Sequence, residues 1–120
     1  MWRLVYYATR AGDRPVREYI RELDADERAR VTYDLDLLET FGLELRAPHV
    51  RALGNKLWEL RTRGRTQHRV VYFAASGQRL VLLHAFTKRT PKAPPAEIDL
   101  AQRRLADFLV RERERKDDER

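Results

Sequence analysis

Two short stretches, Leu57-Trp58-Glu59-Leu60-Arg61 and Arg69-Val70-Val71-Tyr72-Phe73, restrict this 120-residue chain more than any other feature. Both have strand character, and Gly64-Arg65-Thr66-Gln67 between them reads as a turn, so together they predict an antiparallel hairpin. Side chains alternate between the two faces of a strand, so the register decides which residues meet. With Arg61 opposite Arg69, Leu60 faces Val70 and Trp58 faces Tyr72, and one face is uniformly apolar. A slip of one residue would turn Arg69 into the core. The pattern selects the first register, which sets Arg61 and Arg69 side by side on an open face with Glu59 and Val71 as the next pair. Two guanidinium groups so placed repel one another, a cost that an anion lying between them relieves.

The rest of the chain supplies the frame. Ser76-Gly77-Gln78 reads as a second turn and Leu80 to Phe86 as a third strand, giving a meander. Upstream, residues 2 to 7 form a strand with Ala11-Gly12-Asp13 as its exit. Asp13 and Pro15 then suit the start of a short helix over 14–22. Asp24 with Glu27 three residues on has capping-box spacing, and it opens a second helix that runs to Phe41 and ends at Gly42. Val31, Leu35 and Leu38 recur along that helix at i, i+4 and i+7. Pro91, Pro94 and Pro95 interrupt the chain, after which Ile98, Ala101, Leu105 and Phe108 mark a final helix. The expected class is α+β: a strand and two helices, a three-stranded antiparallel meander, and a C-terminal helix. Size predicts one domain over residues 1–110. Residues 111–120, five basic and five acidic without an apolar face, are either a solvated extension of the last helix or a frayed tail.

Charge is distributed unevenly over this frame. Residues 46–92 hold eleven Lys or Arg and one acid, Glu59, for a net +10, whereas residues 1–45 sum to −3 and residues 93–120 to −1. A domain with its positive charge on one segment presents one face to a polyanion. Arginine dominates, 21 against 4 lysines, and its planar fork grips phosphate with two parallel hydrogen bonds. There is no cysteine, hence neither a disulfide nor a thiolate metal site. His49 and His68 lack the paired spacing of a zinc site, and no metal or other cofactor is expected. No apolar run approaches the ~20 residues of a membrane helix. The N-terminus meets Asp13, Arg14 and Arg17 too early for a signal peptide, so a cytoplasmic protein without membrane contact is expected.

The succession of those two strands, then Leu82-Leu83-His84-Ala85-Phe86-Thr87-Lys88-Arg89-Thr90-Pro91-Lys92-Ala93-Pro94, then a helix opening with Glu97-Ile98 and Ala101, resembles the phage-derived HigB-like branch of the RelE/ParE toxin superfamily. The resemblance implies a compact α+β toxin of a type II toxin-antitoxin pair, an endoribonuclease that cuts mRNA on the ribosome, beside 16S rRNA, without a metal. It also implies a helix-turn-helix antitoxin as partner, in a hetero-oligomeric complex. The family's motif falls here on Glu59, Arg61, Arg69, Lys88 and Lys92. Many RelE-like nucleases carry a tyrosine or histidine near the chain end, and that neighbourhood here offers His84, Phe86, Thr87 and Lys88. Arg89 stands where many relatives have Lys.

Metal-free RNA cleavage uses the ribose 2′-hydroxyl as nucleophile, so the protein must align it, neutralise growing charge and move protons. Arg61 and Arg69 suit charge stabilisation, because a guanidinium stays protonated. Lys88 and Lys92 suit proton transfer, since crowding by like charge lowers a lysine's pKa. Glu59 has two roles open to it, general base or orienter of Arg61. Lys56, Arg63, Arg65, His84 and Arg89 complete the expected RNA contacts, with Arg46, Arg51 and Arg79 a more general phosphate-attracting surface. Trp58, Tyr72 and Leu60 read as core. Two other functions use the same fold or charge: a ParE-like poison of DNA gyrase, against which the full basic set argues, and a nucleic-acid-binding module without catalysis.

Overall fold

The computed structural model describes residues 1–91 and 94–119. Its element order is β1 (Arg3–Tyr6), α1 (Pro15–Arg21), α2 (Ala25–Phe41), β2 (Val50–Gly54), β3 (Leu57–Arg63), β4 (Gln67–Ala75), β5 (Arg79–Thr87) and α3 (Pro95–Asp118). The five strands make one sheet in the order β1-β5-β4-β3-β2, antiparallel except where β1 runs parallel to β5. This is the α+β architecture expected from the sequence, with the meander extended by β2 on one edge and closed by β1 on the other. The expected hairpin register is the observed one: Arg61 pairs with Arg69, Leu60 with Val70, Glu59 with Val71 and Trp58 with Tyr72.

Two helical layers cover the two faces of the sheet. On one side, Val16 and Ile20 of α1 and Val31, Leu35 and Leu38 of α2 pack on Leu60, Val70, Tyr72, Leu80 and Leu82. On the other, Ala101 and Leu105 of α3 pack on Leu57, Val71, Phe73, Val81 and Leu83. Each buried aliphatic side chain contributes on the order of 2 kcal/mol by leaving water. The face bearing Arg61 and Arg69 is therefore not open along its length: α3 turns most of it into a second core and leaves only the arginine end uncovered. A register shift at Val71/Tyr72 brings Leu83 and His84 to the α3 side together, Leu83 into that core and His84 against Glu97.

Local signals held in part. Asp24 caps α2 by accepting from the Glu27 amide at 2.9 Å, but the Glu27 carboxylate does not return to Asp24. It reaches instead to the Thr66 amide at 3.0 Å, tying α2 to the β3–β4 turn. Asp13 does not cap α1: Arg14 occupies that position without a side-chain bond, and the Asp13 amide donates to Thr9. Gly42 ends α2 at φ 53°, and a β-carbon there would lie 2.1 Å from the Trp2 indole, so both conformation and space require glycine. α3 continues through the charged segment to Asp118, held near its middle by Glu112 to Arg79 at 2.6 Å, which makes residues 111–118 an extension of the helix.

Candidate functional site

The meander's register concentrates charge at one end of the sheet. Glu59, wholly buried, lies between three guanidinium groups, with Oε1 at 3.3 Å from Arg51, 3.6 Å from Arg69 and 3.8 Å from Arg61. Neither carboxylate oxygen of Glu59 accepts a hydrogen bond, and neither Arg61 Nε nor Arg69 Nε donates one. Glu59 therefore meets no solvent and lies as a counter-ion shared by three cations. Three positive charges against one negative leave this end of the sheet with a net positive excess.

The two arginines of the pair are not equivalent. Arg69 is buried, its side chain 4 % exposed against 25 % for Arg61. It donates from Nη1 to the His68 carbonyl at 3.0 Å and from Nη2 to Gln67 Oε1 at 3.1 Å. Burial lowers its pKa, with Arg61, Arg51 and Arg63 adding to the effect and Glu59 opposing it. Arg69 is thus a charge in the floor, while Arg61 reaches the surface.

Above that floor lies a groove of about 750 Å³ lined by Arg61, Arg63, Arg65, Gln67, Arg69, Thr87, Lys88 and Arg89, with no acidic side chain on its walls among the described residues. The β3–β4 turn supplies one wall and the end of β5 the other, joined where the Lys88 amide donates to the Gln67 carbonyl at 2.8 Å. Lys88 has its pKa lowered from 10.5, first by desolvation and then by Arg69, with Glu59 opposing. Burial thus precedes like-charge crowding as the cause. Arg65 spends its guanidinium on Asp24 at 2.9 Å, whereas no ion pair engages Arg63 or Arg89 among the described residues.

Of the other expected residues, Lys92 lies outside the described residues. Lys56 does not join the groove: it sits at φ 72° in the β2–β3 turn, at the opposite end of β3 beside Phe108 and Glu112. His84 does not line the groove either. Its Nε2 lies 3.1 Å from Glu97 and its Nδ1 3.2 Å from Arg104, so α3 occupies both ring nitrogens, and the ring stacks on Phe86. Its pKa is lowered by burial, with Glu97 opposing. Among the described residues no group of three His, Cys, Asp or Glu side chains comes together where an ion could be held.

Sequence reasoning gave Arg51 only a general phosphate-attracting role, named Thr87 without a role, and missed Gln67 and the side chains behind them. Arg51 stands opposite Glu59 in the β2–β3 ladder, but β2 has too irregular a pattern, bounded by Pro48 and Gly54, to read as a strand. Glu27 and His68 meet only through the tertiary fold. The polar alternation of Thr62, His68 and Thr87 on the otherwise apolar face was the available signal.

A family model described as Phage derived protein Gp49-like (DUF891) matches residues 18–106, from within α1 through α2 and the meander to the first half of α3. The chain belongs to this family. Gp49-like proteins are toxin-like and related to toxins of the RelE and HigB type, which is consistent at a coarse level with a toxin-antitoxin toxin. The match to the Gp49-like family covers every groove residue named above, from Arg61 to Arg89. No curated protein matches the chain. Among the described residues of this Gp49-like protein, no helix is long and apolar enough to cross a membrane.

Proposed function

We propose that this Gp49-like protein is the toxin of a type II toxin-antitoxin pair and a ribosome-dependent mRNA endoribonuclease that works without a metal. The observation that carries the reading is the acid-free groove, in which Arg61 and Lys88 rise beside the buried Arg69–Glu59 pair. A phosphodiester in that groove meets Arg61 from one wall and Lys88 and Arg89 from the other, over the fixed charge of Arg69. Charge that builds on the phosphate during 2′-hydroxyl attack is met by donors already in position, the arrangement that lowers such a barrier most. Guanidinium groups stay protonated at neutral pH, so Lys88, with its lowered pKa, is the group that moves a proton, on the order of 10² to 10⁴ in rate. Arg63 and Arg65 hold the flanking backbone. A helix-turn-helix antitoxin is the expected neutralising partner, in a hetero-oligomeric complex in the cytoplasm, and the ribosome presents the message.

Expression of the wild type beside an Arg61→Ala, Arg69→Ala variant, with 5′ ends mapped across cellular transcripts, tests the reading. New ends and translational arrest with the wild type alone support it. Arrest with DNA damage and no new ends points to a gyrase poison, and equal growth of both strains retires the toxin reading.

A further inference from the structure

Behind the groove, on the α1/α2 side of the sheet, four polar side chains from four elements form one chain of contacts. Thr87 Oγ1 of β5 lies 2.8 Å from the Tyr19 hydroxyl of α1, which lies 2.6 Å from Nδ1 of His68 on β4. His68 Nε2 is in turn 3.6 Å from Glu27 Oε2 of α2, with both side chains more than nine-tenths buried. Neither Glu27 Oε2 nor His68 Nε2 has a hydrogen-bond partner, so at 3.6 Å they meet by charge alone. The outer member, Thr87, also lines the basic groove. None of the other three side chains lines it.

Proton positions in this chain are interdependent. Tyr19 owns one hydroxyl proton and Thr87 one, and a neutral imidazole has one donor and one acceptor nitrogen. With His68 neutral and its proton on Nε2 toward Glu27, Tyr19 donates to Nδ1 and must accept from Thr87. The Thr87 proton then points away from the groove. With His68 doubly protonated, Nδ1–H donates to Tyr19, Tyr19 donates to Thr87, and the Thr87 proton is released toward the groove. The second arrangement adds one hydroxyl donor to a phosphate bound there, and places the imidazolium beside the Glu27 carboxylate.

We infer that Thr87 is an anion-binding residue of the groove whose hydroxyl is switched from behind by His68 through Tyr19, so that binding a phosphodiester oxyanion takes up one proton at His68. The proton comes from solvent, no covalent bond other than N–H forms, and linkage requires the converse: protonated His68 tightens anion binding. This rests on the groove being an anion site but not on cleavage. The groups that face His68 are Tyr19 from α1, Glu27 from α2, Thr62 from β3 and Thr87 from β5, and the charged side chains of Glu22, Asp24, Arg65 and Arg89 line the same recess. Arg89 and Glu97 act at longer range on Tyr19, with opposite sign.

Inorganic sulfate, which does not titrate near neutral pH, is the probe. With ¹⁵N-labelled histidine in the full chain, the two ring nitrogens of His68 report protonation directly. Saturating sulfate is expected to raise the share of His68 with both nitrogens protonated, by the same roughly threefold to tenfold that one hydrogen bond adds to anion binding. Tyr19→Phe should bind sulfate with the His68 nitrogens unchanged, because the phenyl ring cannot pass the proton direction on. Thr87→Val should weaken sulfate roughly threefold to tenfold, the loss of one charge-assisted hydrogen bond at a wet site. A wild-type protein that binds sulfate while its His68 nitrogens stay as they were overturns the inference and leaves the anion groove standing. No sulfate binding by the groove at all sinks both this and the proposed function. Should Tyr19→Phe not fold, the wild-type measurement decides alone.

Discussion

Arg61 on β3 stands directly across the ladder from Arg69 on β4, and the Nε atoms of both face one buried oxygen of Glu59, at 3.8 and 3.6 Å. Alternation puts the two cations on the same side of the sheet, and the single acid of the basic segment sits one pair along to hold them there. The arrangement is asymmetric: Arg69 lies buried in the floor while Arg61 reaches the surface.

The asymmetry predicts different losses on truncation. Arg69→Ala strips Glu59 of its most buried partner and should cost about 3 kcal/mol or more in urea unfolding, the usual result of leaving a buried charge poorly compensated. Arg61→Ala leaves Glu59 with Arg51 and Arg69 and should cost under about 1 kcal/mol. Both should abolish cleavage. A stable Arg69→Ala protein would mean that the ion pair is not what organises the floor.

Glu59→Gln keeps the shape and removes the charge. The three guanidinium groups then repel without a counter-ion, and a loss of about 3 kcal/mol is expected. Sulfate should recover part of it, since an anion that binds only the folded state raises stability by mass action. Retained activity with unchanged stability would contradict the counter-ion role.

Lys88→Arg keeps a cation in the groove but replaces a side chain able to lose its proton with one that cannot. Single-turnover cleavage of ribosome-bound message should fall by roughly 10² or more while RNA affinity changes little. With wild-type protein acting through neutral Lys88, the rate should climb with pH and level off below 10.5, because burial and Arg69 lower the Lys88 pKa in the fold. A flat profile from pH 6 to 10 would remove Lys88 from proton transfer.

His84 supplies a pH dependence of stability. Burial, and to a lesser degree Arg104, lower its pKa below 6.5, with Glu97 opposing. Between the folded-state value and 6.5 the unfolded chain therefore binds more protons than the native one, so stability is full above 6.5 and declines as pH falls through the folded value. The His84 ring resonance should titrate with a midpoint under 6.5, and His84→Gln should flatten the acid side of the stability curve. A midpoint above 6.5 would reverse the sign.

The sequence was legible where periodicity and packing agree. The Arg61–Arg69 register could be read because only one alignment buries Leu60, Val70, Trp58 and Tyr72 together, and the structure keeps it. Val31, Leu35 and Leu38 were legible as the inner stripe of α2 for the same reason. What stayed hidden depended on contacts distant in sequence. Glu27 carries a capping-box spacing, but the Thr66 amide, 39 residues on, outcompetes the Asp24 backbone for its carboxylate. His84 looked available until α3 brought Glu97 and Arg104 to both its nitrogens. The cover of α3 over Val71 and Phe73 turned an expected open face into a core, and confined the basic groove to the one end that the helix leaves bare.

End-group analysis of RNA from a purified reaction tests the central claim most directly. Protein and ribosome-bound message are incubated with a chelator in excess, and the new termini are identified chemically. Attack by the 2′-hydroxyl in the Arg61–Lys88 groove predicts fragments ending in a 2′,3′-cyclic phosphate and beginning with a 5′-hydroxyl, formed by the wild type and absent with the Arg61→Ala, Arg69→Ala variant. Intact message, 5′-phosphate ends, or the same ends at the same rate from the variant would contradict the account.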